Sequence, residues 1–267
     1  MTRSFAQGPS MTPASSNEPS AQPVLAWLAA ALVGLAAPAL ALLLLANAPA
    51  PLALAGGPIL ALGLMGAGMI GAAAAGRLEA GVLLALAAGA ALVLLARAFG
   101  MEPLPHPLSI GLALGAASLS FAARGALFVR SSGEKGWWIA LFVIAGEVAI
   151  VMTAWADPDA LPGWLLALLP AQWASTAIQS ALTGPGAAAA SSALLALAGT
   201  AASTLLVARL WPRRWPYLIM FTTWLALSAL VHYRPAPPLP HADLFGTDAA
   251  AAWQSRIDAS SAIAAFR

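Results

Sequence analysis

Between Glu18 and Arg77 the chain runs 58 residues without an ionisable side chain, and between Asp159 and Arg209 it does so for another 49. A helix needs roughly 20 apolar residues to cross the hydrocarbon of a bilayer, so each stretch holds enough for two crossings. In lipid the backbone must satisfy its own polar groups, which a helix does within one segment. The fold class expected is therefore all-α, a polytopic transmembrane helical bundle.

The charge content supports this solvent. Only 8% of the 267 residues are charged and 61% are hydrophobic, against roughly 25% charged in an ordinary soluble domain. A soluble surface of this size cannot be covered by 12 basic and 10 acidic side chains. The basic residues form no dense run, so nucleic acid is not an expected partner. The chain has no cysteine, which removes disulfides, thiolate nucleophiles and thiolate metal sites. Arginine replaces lysine almost everywhere and alanine abounds, which reads as a genomic bias; a bacterial cytoplasmic (inner) membrane is the expected location.

Residues 1–22 are polar and Pro/Ser-rich and read as a disordered tail. Residues 23–233 form the bundle, and residues 234–267 a Pro-rich spacer followed by a short helix. Asp248 is placed to cap that helix, and Ala249, Trp253, Ile257 and Ala264 share a face suited to the membrane interface. The first apolar run, Pro23 to Ala46, exceeds the 7 to 15 residues of a signal-peptide core. It is read as a retained helix, although Ala46-Asn47-Ala48 imitates a cleavage site.

Seven more apolar segments follow, at about 52–75, 80–99, 108–129, 137–156, 163–182, 188–210 and 216–233, bounded by Gly, Pro or charge. The pattern thus predicts eight hydrophobic helices, seven or eight of them crossing. Eight crossings are preferred because 163–182 is long enough. The basic residues argue the other way. If 163–182 dips in and returns, the connecting loops place Arg77, Arg130, Lys135, Arg209, Arg213 and Arg214 on one side and only Arg97 on the other. That segment is also the most polar. Small residues at spacing four, Gly63, Ala67, Gly71 and Ala75 on the second helix and Gly111 and Gly115 on the fourth, suit close backbone packing. Ser192, Ala196, Thr200 and Thr204 make a similar line on the seventh.

Glu147 stands out chemically. With Trp137 before it and Trp155 after it, it falls near the bilayer centre. A carboxylate there is costly unless paired or hydrated and commonly marks an ion or proton path; the alternative is one half of a fixed polar clamp. Arg124 on the preceding helix is its natural partner, though snorkelling of Arg124 to the headgroups is preferred over the pair. On 163–182, Gln172, Ser175, Thr176 and Gln179 share one face. They suit a polar solute path, but interhelical hydrogen bonding is the better reading. Glu147, Arg124, Gln172, Thr176 and Gln179 are the candidate pathway residues.

No cofactor or metal site is expected. A haem between His106 and His232 would need both on one side, which eight crossings forbid. No zinc-protease, nucleophile-elbow or phosphate-loop motif occurs, so an enzyme is disfavoured. A small-solute or proton-linked transporter (permease) is the leading reading, with Glu147 titrating. The alternative is a non-catalytic subunit or assembly factor docked on other membrane subunits. The expected partners are the lipid bilayer and, in the alternative, those subunits.

Overall fold

The computed structural model describes residues 21–46, 52–157, 160–184 and 186–234. The Pro-rich spacer, the C-terminal helix and all but the last two residues of the N-terminal tail lie outside them. The regular structure of the described residues is all helical, without a strand: α1 (Ala21–Ala31), a π-helical turn (Leu32–Ala36), α2 (Ala37–Leu45), α3 (Leu52–Ala75), α4 (Leu78–Ala98), α5 (Pro107–Ser132), a 3-10 turn (Gly133–Lys135), α6 (Gly136–Ala156), α7 (Gly163–Ala167), α8 (Pro170–Thr183), α9 (Gly186–Ala189), α10 (Ser191–Leu210) and α11 (Trp215–Tyr233).

Six helical runs are long and apolar enough to cross a membrane, and the molecule has the architecture of an integral membrane protein. One run, Pro107–Ala154, is 48 residues long and contains α5 and most of α6. It doubles back at Gly133, whose φ of +57° favours glycine. Gly136 closes the hairpin, since a Cβ there would lie 2.7 Å from the Val129 Cα.

The count of eight spanning helices is not what the structure shows. The segment read as one helix over 163–182 is broken at Leu168 and Leu169. Pro170 cannot donate an N–H and disfavours helical geometry in the residue before it. Leu169 is accordingly extended, at φ −92° and ψ 118°, and Pro170 takes the first turn of α8. The resulting 14-residue α8 reaches ~21 Å at 1.5 Å per residue, short of a ~30 Å hydrocarbon core. Length in sequence was sufficient, but the proline divides it.

Hydrogen bonds fix the directions of the elements. Ser192 Oγ donates to the Arg234 carbonyl, joining the start of α10 to the end of α11. Arg130 Nη1 donates to the Ala208 carbonyl at 2.8 Å, joining the ends of α5 and α10. At the opposite end of α5, His106 Nε2 donates to the Gly184 carbonyl at 3.0 Å and Ala187 N donates to Ser109 Oγ. Gly57, near the start of α3, donates to Gln179 Oε1 at 2.9 Å. The start of α5 and the C-terminal end of α8 therefore lie at one end of the bundle, where α6 also finishes. Arg77, Arg130, Lys135, Arg209, Arg213 and Arg214 fall at the other, arginine-rich end.

α3 is the central rod, packed by α1, α2, α4, α5, α6 and α8. Its small residues permit this, as backbone proximity is the main source of helix association in lipid. A Cβ on Gly66 would lie 2.8 Å from Gly34 N, and one on Gly34 would lie 2.6 Å from Ala67 N. Gly34 sits in the π turn, and Pro38, four residues on, would clash with its carbonyl in a regular helix; the wider turn removes that conflict. Gly125 of α5 abuts the Met69 carbonyl. Gly63 and Gly71 pack on Leu92 and Leu84 of α4, whereas Gly111 and Gly115 of α5 meet nothing within 4 Å. Those two glycines do not pack the bundle, contrary to the sequence expectation: they lie on the outward side of α5, beside the exposed Leu108 and Leu112.

Candidate functional site

Glu147 lies 11 residues after the first residue of α6 and 9 before the last, or ~16 and ~14 Å from its ends at 1.5 Å per residue. It is buried, at 8% exposure. Two elements meet its carboxylate. Arg124 of α5 approaches with Nη1 3.4 Å from Oε1, and the backbone N–H of Ala171, in the first turn of α8, donates to Oε2 at 3.0 Å. Arg124 is thus turned inward to Glu147 rather than snorkelling to the helix end as expected; an opposite charge lies within reach, and its side chain is only 15% exposed.

The sequence gives α8 no capping side chain at Leu169. Glu147 supplies the missing acceptor from another helix and sets a negative charge at the positive end of the α8 dipole. The remaining first-turn donors are occupied: Gln172 N and Trp173 N both bond the Leu169 carbonyl. Trp224 of α11 fastens the other side of the break, donating its indole N–H to the Leu168 carbonyl at 3.2 Å. Trp173 Nε1 returns to the Ala167 carbonyl. The backbone at the break is thus held by α6 and α11, which permits non-helical chain away from water.

Below the break lies a cavity of about 330 Å³, in the half of the bundle toward the arginine-rich end. Arg124 and Glu147 form part of its wall, Thr200, Ser203 and Thr204 of α10 another, and Leu168, Leu169 and Pro170 of the break with apolar side chains of α5, α6 and α11 the rest. On its outer side stand Val143 of α6 and Met220 and Phe221 of α11. α6 packs on α3 and α5, while α11 packs on α10 and α7, and the two make no substantial contact with one another. Phe221 is 54% exposed. The cavity consequently opens sideways between α6 and α11.

Its polar groups differ in how they are used. Thr200 Oγ1 donates to the Ala196 carbonyl and lies 3.3 Å from Ser120 Oγ, and Ser203 Oγ donates to the Thr200 carbonyl. Thr204 is 4% exposed, lines the cavity and makes no hydrogen bond among the described residues. Arg124 has five N–H donors and one described partner, Glu147.

The other candidates lie elsewhere. Gln179 is buried against α3, and Thr176 Oγ1 bonds the Gln172 carbonyl on its own helix. Gln172, Thr176 and Gln179 are not among the residues lining the cavity. The structure thus joins Arg124 and Glu147 but not the α8 polar face to them. Sequence reasoning missed Thr204 as a cavity residue and Trp224 as an anchor. In the sequence Thr204 is only one of a line of small residues, and nothing in its surroundings there distinguishes it. His106 and His232 both lie at the end opposite the arginines, but His106 Nε2 is committed to Gly184 and His232 stacks edge-on against Tyr233 at 5.3 Å. No group of three or more metal-ligating side chains occurs among the described residues. Compared with known protein families, curated proteins and solved structures, the chain matches none.

Proposed function

We propose that the chain crosses a bacterial cytoplasmic membrane seven times, with 163–184 entering to mid-depth and returning, and that it is a permease for a small solute. Both ends of 163–184 lie at the same end of the bundle. With seven crossings the connecting segments carry Arg77, Arg130, Lys135, Arg209, Arg213 and Arg214 on one side and Arg97 on the other, so the positive-inside rule sets the arginine-rich end in the cytoplasm. The observation that carries the permease reading is the cavity itself, at whose edge a half-helix begins at mid-depth beside a buried ion pair. Discontinuous helices meeting a site near the midplane are the recurrent means by which transporters hold a solute.

In this reading Arg124 and Glu147 shape the site. Both of the Glu147 carboxylate oxygens are engaged, so its part is to hold α8 in register, and a change in that clamp would move the cavity roof. Screening small solutes against the purified protein by thermal shift, then assaying the binders for exchange across proteoliposomes, tests the proposal. A solute that both stabilises and crosses supports it. Binders that never cross contradict it.

A second reading, a subunit of a larger complex, draws on one observation: the outward side of α11, with Leu218, Phe221 and Leu225 exposed beside the α6–α11 opening. Purification in mild detergent with a stoichiometric second membrane protein would favour it. A monodisperse, transport-competent monomer would exclude it.

A further inference from the structure

We propose that the cavity takes the head group of a neutral, lipid-soluble molecule bearing carbonyl oxygens, such as a quinone, ketone or ester, admitted from the bilayer between α6 and α11. This rests on the permease reading and names the substrate class for it.

The hydrogen-bonding inventory points to an acceptor. Thr204 lines the cavity with no described hydrogen-bond partner, and Arg124 keeps donors beyond the one it gives to Glu147. Donors facing an apolar-walled cavity gain from an acceptor, and a carbonyl oxygen between Thr204 and Arg124 would satisfy both. A wholly apolar occupant would leave them unmet.

The charges point to neutrality. Arg124 is already balanced by Glu147, which also faces the positive end of α8. A second anion would meet no uncompensated cation at a depth where an unpaired charge is expensive. Glu147 would also repel it.

Size and position settle how the molecule lies. About 330 Å³ is at the low end of the roughly 300–1,000 Å³ of small-molecule pockets, enough for a ring or an ester group but not for a long acyl chain. The tail therefore extends past Val143 and Phe221 into lipid, where the opening faces.

Trp224 lines the cavity and provides the readout, because a quinone ring quenches indole fluorescence on contact. The protein in lipid nanodiscs is titrated with a decyl-substituted benzoquinone, alongside Trp224→Phe and Thr204→Val. The expected result is a saturable quenching component that Trp224→Phe removes. Thr204→Val should weaken binding by about 2- to 12-fold, the loss of one hydrogen bond. Methyl laurate should compete and laurate should not. Thr204→Val breaks no described hydrogen bond, so it remains decisive should Trp224→Phe loosen the break at Leu168. Quenching linear in probe and equal in wild type and Thr204→Val overturns the proposal, as does stronger competition by laurate than by its methyl ester. Saturable quenching with no exchange beyond that of protein-free liposomes refutes the permease and keeps the site. Exchange faster than in protein-free liposomes, without saturable quenching, refutes the site and keeps the permease.

Discussion

α3 and α11 are both apolar enough to span a membrane, yet 78% of the most apolar stretch of α3 is buried inside the protein and only 11% of that of α11. The difference is one of residue size. α3 presents glycine and alanine on several sides, so neighbouring backbones close on it from every direction. α11 carries Trp, Phe, Tyr and Leu, touches the bundle along one side and leaves a gap against α6. In a solvent as apolar as leucine, hydrophobicity gives no reason to come together, and packing does. The α3 side is accordingly a close-packed core, and the α11 side is loosely packed.

The sharpest way to break this contrast is to fill one glycine that faces α3 and one that faces outward. Gly125→Leu drives a side chain into the Met69 carbonyl. We expect a loss above ~3 kcal/mol, the upper range of overpacking, seen as failure to recover monodisperse protein. Gly111→Leu, which meets nothing within 4 Å, should change the thermal midpoint little. Equal effects would remove the distinction between the two kinds of glycine.

Next in size is the clamp. Glu147→Ala leaves Arg124 buried without its partner and α8 without its acceptor, a loss of about 3–5 kcal/mol measurable by denaturation in mixed micelles. The double variant Arg124→Met with Glu147→Leu should recover much of it if the pair is structural. A double variant as unstable as the single one would contradict the clamp.

Truncation compares the two sides more gently. Leu64→Ala, fully buried on α3, should cost about 2 kcal/mol or more. Phe221→Ala on α11, half-exposed beside an existing gap, should stay within about 0.5 kcal/mol. Gln179→Leu should cost at least about 1 kcal/mol, the bond from Gly57; its role in joining α3 to α8 would be sharpened if Gly57→Ala, which meets Gln179 and the Ser175 carbonyl, cost more.

Much of this was legible in the sequence because the signals were strong ones. Long charge-free runs gave the apolar segments, and the loops between them fell near the observed breaks. Glu147 and Arg124 were conspicuous as lone charges in apolar surroundings, and their spacing across a hairpin brought them within reach. The segment 163–182 was harder, since hydropathy averages over Pro170 and cannot tell a span from two pieces. The proposed seven crossings fit the arginine distribution rather than the hydropathy. Which face of each helix meets protein was not legible: Gly111 and Gly63 sit in similar local sequences, and only the arrangement of the other helices separates them. Thr204 and Trp224 belong to the same class, defined by neighbours that sequence does not name.

The central claim is that 163–184 dips into the membrane and returns to the side it left. The natural absence of cysteine makes single-cysteine variants unambiguous reporters. Ala160, Ala188, Ser131 and Arg213 are all exposed; each is replaced in turn and treated in intact cells with a membrane-impermeant maleimide. The account predicts that positions 160 and 188 label from outside, and that 131 and 213 label only after the membrane is opened. Labelling of 160 and 188 from opposite sides would contradict it.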